Sequence, residues 1–526
     1  MKGPLCKENS EHQFFFPKSI IPKPEFDLED FRDDDGEEID YLKLILTAKV
    51  YDVAVETPLV YAPKLSQKLG NTIYLKREDL QPVFSFKIRG AYNKISQLSQ
   101  EEKLRGVICC SAGNHAQGVA LAAQKLGINA TIVMPKFAPE IKVESVKRFG
   151  GNIILVGNDF DEAKAECLRL QKEKNLVFIS PFDDKFVIAG QGTIGVEILK
   201  QLRQDRLDAI FICCGGGGMI SGIAAYIKRI KPETRIIGVN TFDSDSLYQS
   251  LKQGKVVNIP TAGLFSDGTS VRQIGYENFK ILKHSVDDMV LVTTDEICAA
   301  IKDVFDETRT VMEPSGALAA AGMKKFLNNN QNMKGGVFVA ITSGANMNFE
   351  RLRFVAERAR LGEEKEVILS VELPEKLGTF LNLYNTIQLQ PRSVTEFTYR
   401  YSNPTRALFF IAVEVKSTED KNDLEQSIKK MEDVVILNIS NNELAKNHGR
   451  YLVGGRSAVK NERLIRFSFP ERPGKLSDFL NNLENHWNIT LWHYRNNGSD
   501  FAKVLAGIQV PELENNKFNE FLEKLG

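Results

Sequence analysis

Val107-Ile108-Cys109-Cys110-Ser111-Ala112-Gly113-Asn114-His115-Ala116-Gln117-Gly118 is the stretch that decides how the larger part of this chain folds. Its apolar, β-branched start suits a strand buried on both faces. Small residues then turn the chain, and a helix runs on to Leu126. The same order of run, loop and helix recurs between Tyr74 and Thr342. The runs are Ala130–Met134, Asn152–Val156, Ala209–Cys213, Arg235–Val239 and Val337–Ile341. Helices between such runs supply right-handed crossovers, so the fold class is α/β with an open parallel sheet. Ligands of such sheets sit beyond the carboxyl ends of the strands. Three runs end there in small-residue loops, Ser111–Asn114, Gly215–Gly218 and Ser343–Asn346, and one crevice can gather all three.

The 526 residues exceed one ordinary core, and length alone suggests about three domains. Lys+Arg and Asp+Glu both number 68, so no net field holds nucleic acid or an anionic membrane, and the expected partner is small. No apolar run approaches the ~20 residues that span a bilayer. The seven cysteines, Cys6, Cys109, Cys110, Cys167, Cys213, Cys214 and Cys298, show no CxxC spacing. Two adjacent pairs lie at strand ends, where neighbours point to opposite faces, so they read as small buried hydrophobes in a reducing compartment, the cytoplasm. Residues 1–40 lack an apolar leader and are acidic from Asp27 to Glu38. They read as a loosely ordered extension ahead of a domain at 41–360.

After the charged helix Arg351–Arg360 the pattern changes and repeats itself. Leu369–Gly378 echoes Ile465–Gly474, Val394–Arg400 echoes Ile489–Arg495, and each copy ends in a further strand, Ile411–Val415 or Ala506–Val510. Strand, amphipathic helix and two more strands describe a ferredoxin-like βαββαβ unit present twice, at 361–450 and 451–526. An interface between two such units can house a ligand.

Four segments carry chemistry. In Ser85-Phe86-Lys87-Ile88-Arg89-Gly90-Ala91 a lysine enters a helix, whose positive end and apolar surroundings lower its pKa and favour a nucleophilic amine. A lone Ser-Phe-Lys would read as surface, and the remaining segments argue otherwise. Ser111–Gly118 brings backbone N–H groups to a helix start, suited to a carboxylate, and Asn114 adds an amide. A plain turn with a capping Asn is an equal reading of that segment taken alone. Gly215, Gly216, Gly217 and Gly218, followed by Met219, form a phosphate cradle between strand and helix. A dinucleotide fingerprint fits less well, because Asn240 and not an acid ends the next strand. Ser343, in Thr342-Ser343-Gly344-Ala345-Asn346, can bond a pyridine nitrogen without forcing its protonation, which favours prompt loss of a β-substituent over transamination or racemisation.

Taken together, in this order and spacing, these motifs resemble the fold-type II pyridoxal-phosphate family, whose catalytic domain is built in two subdomains. The C-terminal repeats resemble the paired ACT-like regulatory region of the biosynthetic threonine deaminases, or threonine ammonia-lyases. The resemblance covers residues 40 to 526. It implies pyridoxal 5'-phosphate joined covalently to Lys87, with Phe86 near its ring, Asn114 at its phenolic oxygen, Gly215–Gly218 and Met219 at its phosphate, and Ser343 at its nitrogen. Ser111, Gly113, Asn114 and His115 would surround the substrate. Glu313-Pro314-Ser315-Gly316-Ala317 also resembles a family segment. The implied reaction takes L-threonine to 2-oxobutanoate and ammonia, with Lys87 as general base and the acid for the leaving hydroxyl unassigned. It is the first step of isoleucine biosynthesis in a homotetramer inhibited by isoleucine, with valine opposing.

Gly378, Tyr399, Gly474, His493 and Tyr494 are the candidate effector positions, although each aromatic singly reads as core. Metal-dependent relatives carry an acidic ligand after the Arg235–Val239 strand. Asn240 stands there here, so no metal is expected, and Asp243 and Asp245 read as a solvated acidic loop. Asp267 occupies a position usually held by glutamate, and its role stays open. A catabolic serine/threonine dehydratase would not need the repeats. Cysteine synthase shares the fold but suits the Lys87 context less well. A non-catalytic amino-acid sensor would have no use for Lys87, the glycines and Ser343.

Overall fold

The computed structural model describes residues 19, 21, 22, 32, 36 and 38, and then 39 to 526 except 137, 139, 454–456, 471–479, 481–482, 484–485, 496–500 and 526. Two compact units result, one reaching Ala359 and the other running from Arg360.

In the first unit the strands divide between two sheets. The larger has the spatial order Leu59–Tyr61, Thr72–Arg77, Val337–Thr342, Ala209–Cys213, Arg235–Thr241 and Asp288–Val292. All its neighbours are parallel apart from the first strand, which is antiparallel. The smaller sheet is wholly parallel, in the order Asn152–Leu155, Ala130–Met134, Val107–Cys110 and Val177–Phe178. The apolar runs are interior as expected: Val107–Cys110, Ala209–Cys213 and Val337–Thr342 are buried along their whole length. Sequence periodicity had not separated the two sheets. The apolar-run reading also leaves out Leu59–Tyr61, Thr72–Arg77, Val177–Phe178, and Asp288–Val292, which an acid opens.

The loops that matter follow from helix starts. Helix Asn114–Leu126 leaves the strand Val107–Cys110 through Gly113, and Gly218–Ile230 leaves Ala209–Cys213 through Gly217 at φ +103°. Neither cap residue offers a side-chain hydrogen bond, so first-turn N–H groups stay available. Helix Lys87–Ser96 packs on Lys185–Gln201 at a glycine contact, where a Cβ on Gly190 would lie 2.7 Å from the Arg89 carbonyl oxygen.

The second unit is one seven-stranded antiparallel sheet. The first repeat completes the βαββαβ pattern with Glu366–Pro374, helix Thr379–Ile387, Val394–Arg400, Arg406–Glu414, helix Thr418–Lys429 and Val435–Asn438. The second supplies Glu462–Pro470, Asn488–Arg495, Phe501–Gln509 and helix Asn515–Leu525, and among the described residues it has no counterpart of Val435–Asn438. Val394–Arg400 pairs directly with Asn488–Arg495, fusing the copies into a continuous sheet. Aromatic packing crosses that junction: Phe380 stacks on Phe397 at 4.5 Å and meets Trp492 edge-on at 5.3 Å.

Gly190→Ala forces a methyl group into backbone and should destabilise the first unit by about 1–3 kcal/mol. Chemical unfolding measures it, and an unchanged midpoint would contradict the helix contact.

Candidate active site

Lys87 is the first residue of its helix and the half-buried floor of a cavity of about 370 Å³. Its Nζ donates to the Pro181 carbonyl at 2.7 Å and lies 5.2 Å from the Phe86 ring centroid. Loss of hydration disfavours the ammonium and pulls its pKa down to about 8, with Cys213 opposing weakly. Two residues further on, Arg89 is fully buried and bonds Glu78 at 2.8 Å and Glu197 at 2.6 Å, while Lys76 reaches Glu197 at 2.5 Å. The helix is thereby fixed on one side and presents the amine on another.

Two helix starts open onto the same cavity. Ser111, Gly113, Asn114 and His115 line it at one, and Gly215, Gly216, Gly217, Gly218 and Met219 at the other. Each offers oriented N–H groups and the positive end of a 13-residue helix, an arrangement that holds anions. The Gly215–Gly218 turn is tight: a Cβ on Gly216 would overlap the Phe182 ring. His115 is buried, bonds the Ile179 carbonyl at 2.9 Å, and is pushed down to about 3 by burial and then by Lys87. It therefore stays neutral and adds no cation.

The facing wall comes from Ser343–Asn346 and Glu313–Ser315. The Ser343 hydroxyl donates to the Ser315 carbonyl at 3.2 Å and accepts from the Cys213 thiol at 3.4 Å. Cys213 is thus a cavity residue as well as a small buried hydrophobe. The buried Ser315 Oγ has no hydrogen-bond partner among the described residues. Asn114 Nδ2 donates to Glu313 Oε1, and Asn346 Nδ2 donates to Asn114 Oδ1, each at 2.6 Å. Lys142 and Asp267 pair at 2.6 Å, which supplies the partner that the sequence left open for Asp267.

With this geometry in hand, similarity to known proteins is informative. Residues 50–344 match the family model of pyridoxal-phosphate dependent enzymes, and residues 357–448 and 453–526 match the C-terminal regulatory domain of threonine dehydratase. The chain belongs to the pyridoxal-phosphate-dependent enzymes. Among members of this family, it is 50% identical to the mitochondrial threonine dehydratase of Saccharomyces cerevisiae, over 99% of this chain and 92% of that one. It is 48% identical to the biosynthetic L-threonine dehydratase of Burkholderia multivorans, over 93% and 96%. The processed form of threonine deaminase isoform 2 from Solanum lycopersicum is a structural neighbour with a TM-score of 0.61 and 47% identity, covering 66% of this chain and 98% of that one.

Pyridoxal 5'-phosphate is the cofactor of this pyridoxal-phosphate-dependent enzyme, and the cavity fits it on its own terms. An orphaned buried hydroxyl, an uncapped glycine helix start for a phosphate and a desolvated amine for an aldehyde share one space. Every residue assigned from the sequence to cofactor or substrate, namely Phe86, Lys87, Ser111, Gly113, Asn114, His115, Gly215, Gly216, Gly217, Gly218, Met219 and Ser343, lines that space. Sequence reasoning missed the Pro181 carbonyl, Asn346 and any role for Glu313. An acid directly before a helix-starting proline in an apolar stretch was the available signal for Glu313. Asn240 donates to the Cys214 carbonyl at 2.8 Å, and the described residues contain no cluster able to hold a metal.

In the second unit Gly378 has φ +88° and caps helix Thr379–Ile387, with open space where a Cβ would project. Tyr399 is buried and donates to Glu375 at 2.7 Å. Tyr494 shares that buried face, whereas His493 is on the exposed face because neighbours on a strand alternate. Gly474 lies outside the described residues.

In the cofactor-free protein, modification of Lys87 by an amine reagent should lose half its rate near pH 8, falling as pH falls because protonation removes the nucleophile. Peptide mapping across a pH series measures it, and a midpoint near that of ordinary lysines would contradict the desolvation argument.

Proposed function

We propose that this chain is a threonine ammonia-lyase that converts L-threonine to 2-oxobutanoate and ammonia, the first step of isoleucine biosynthesis. The observation that carries the reading is the desolvated Lys87 amine in one cavity with two uncapped helix starts and a serine hydroxyl, in a chain about half identical over nearly its whole length to threonine dehydratases. The C-terminal match favours the biosynthetic enzyme over a catabolic dehydratase without regulatory repeats. A non-catalytic sensor would not need the amine.

The roles proposed follow from what each residue offers. Lys87 holds the cofactor covalently. The Gly215–Gly218 N–H groups and Met219 meet its phosphate, Ser343 its ring nitrogen, Asn114 its ring oxygen, and Phe86 packs at the ring. When bound, the cofactor supplies the electron sink for the pair left by the Cα–H bond. Lys87, displaced by substrate, takes the Cα proton, a task that needs its neutral form and so suits a pKa of about 8. The helix start at Asn114, with Ser111 and Gly113, receives the substrate carboxylate, and neutral His115 closes that side without competing charge. A hydroxyl at Ser343 leaves the ring nitrogen unprotonated, which favours departure of the β-hydroxyl over proton return. Water then hydrolyses the released enamine.

The division into a catalytic domain at 41–360 and regulatory domains at 361–450 and 451–526 is part of the same reading. So is feedback inhibition by isoleucine, opposed by valine, in a homotetramer. Its support is the fused double repeat, with the helix start at Gly378 and the part-buried polar pair Tyr399–Glu375 inside it. For the compartment we favour the cytoplasm. The support is a reducing interior, because the six described cysteines are unpaired and buried, a feature that an organelle matrix shares and that fits relatives named mitochondrial. Among the described residues no helix is long and apolar enough to cross a membrane.

Purified protein should form 2-oxobutanoate from threonine, and isoleucine should lower the rate while changing the fluorescence of Trp487 and Trp492, the two tryptophans of the chain. Lys87→Ala should cost at least about 10³-fold in kcat. Borohydride should fix the cofactor to Lys87, and a label on another lysine would refute the reading. An isoleucine titration without effect would remove the regulatory part alone.

A further inference from the structure

Glu313 stands in the cavity wall, almost wholly buried at 4% exposed, at the start of helix Pro314–Asn329. Its backbone is tied to the opposite loop, where the Glu313 N–H donates to the Gly344 carbonyl at 3.2 Å. Its side chain has room because its neighbours have none: a Cβ on Gly344 would lie 2.5 Å from Glu313 Oε1. The charged groups that face it are Asp267, Lys142 and Arg351, with the Cys213 thiol also near. Burial, then Asp267, raises its pKa to about 7, against Asn114, Lys142 and Arg351.

The hydrogen bonds around it have one possible sense. Asn346 Nδ2 donates to the Val83 carbonyl at 2.9 Å, and a backbone carbonyl cannot become a donor. The same Nδ2 therefore donates its other hydrogen to Asn114, which must turn its Oδ1 toward Asn346. Asn114 Nδ2 then faces Glu313, the acceptor at 2.6 Å. Flipping the Asn114 amide would set two NH2 groups against each other and two acceptor oxygens against each other. One Asn114 N–H remains unspent, a donor suited to an anionic oxygen.

We propose that Glu313 is a positioning residue: it fixes the Asn114 amide as a donor to the cofactor's ring oxygen and, by its own charge, sets how readily that oxygen carries a negative charge. This rests on the placement of the cofactor proposed above. A neutral Glu313 leaves the remaining Asn114 N–H a stronger donor and adds no repulsion. An ionised Glu313 opposes an anion in the same dry wall. By linkage the anionic ring oxygen raises the Glu313 pKa further, so in the holoenzyme the change falls above pH 7.

The test uses holoenzyme of the wild type, Glu313→Gln, Glu313→Ala and Asn346→Ala, with visible absorbance from pH 6 to 9.5 and the cofactor Kd as readouts. Wild-type absorbance should shift between two bands with a midpoint above pH 7. Glu313→Gln keeps an acceptor oxygen, so it should hold the cofactor within about twofold while losing the pH transition. Glu313→Ala should weaken cofactor binding about tenfold, the cost of one buried hydrogen bond, and displace the band. Asn346→Ala releases the other end of the Asn114 amide and should displace the band in the same direction, which provides the readout if Glu313→Ala does not fold. A transition retained in Glu313→Gln, or wild-type band and affinity in the alanine variants, overturns the proposal. Failure to label Lys87 in the wild type would instead overturn the functional reading, so the two failures are distinguishable.

Discussion

The catalytic part of this protein depends on a buried cluster of four charges. Arg89 lies between Glu78 and Glu197, and Lys76 shares Glu197, all with side chains at most 1% exposed. Two cations and two anions cancel, and Thr57 adds a hydroxyl to Glu78 and a carbonyl to Lys76. Removing four ions from water is costly, and an apolar replacement of equal shape could be as stable. The value of the cluster is directional. It joins strand Thr72–Arg77, helix Lys87–Ser96 and helix Lys185–Gln201, so the helix that begins with Lys87 cannot rotate or slide without stranding a charge. Burial raises the Glu78 pKa in isolation, yet Arg89 and Lys76 more than offset it and keep the carboxyl ionised.

The cavity is organised in the opposite way. Lys87 and Glu313 are also desolvated, but no counter-ion meets either of them directly, and both shift toward their neutral forms. Apart from the Lys142–Asp267 pair in its lining, the fixed charge belongs to the scaffold, and the two desolvated groups are shifted toward neutrality. Backbone dipoles at the helix starts Asn114 and Gly218, which do not titrate, add positive potential to the cavity. Dipoles of this kind can receive two anionic groups without a proton of their own to lose.

Much of this was legible in the residues. Buried strands declared themselves by unbroken β-branched runs, and the loops after them by small residues, because both signals are local. The repeat was legible because the two copies keep their strand patterns in step. What local patterns could not give was tertiary company. Arg89 reads as a surface helix residue until Glu78 and Glu197 are beside it. Glu313 gains its meaning from Asn114 and from Gly344, both distant in sequence. Pro181 contributes a backbone carbonyl, about which a side-chain motif is silent. The division into two sheets escaped for the same reason, since buried runs look alike whichever sheet they join. In the effector region, alternation along Asn488–Arg495 was available in principle and separates His493 from Tyr494, but repeat alignment alone groups them.

The junction of the two repeats carries a symmetry. Thr398 opposes His493, and these positions correspond in the two copies. Around them Phe397 opposes Tyr494 and Tyr399 opposes Trp492, the same relation with the copies exchanged. Antiparallel pairing of equivalent strands is the mark of an isologous, two-fold contact. A lone repeat would carry this strand as a bare rim, able to recruit another of its kind. With both repeats in one polypeptide that contact is internal, so closure of the rim does not depend on protein concentration.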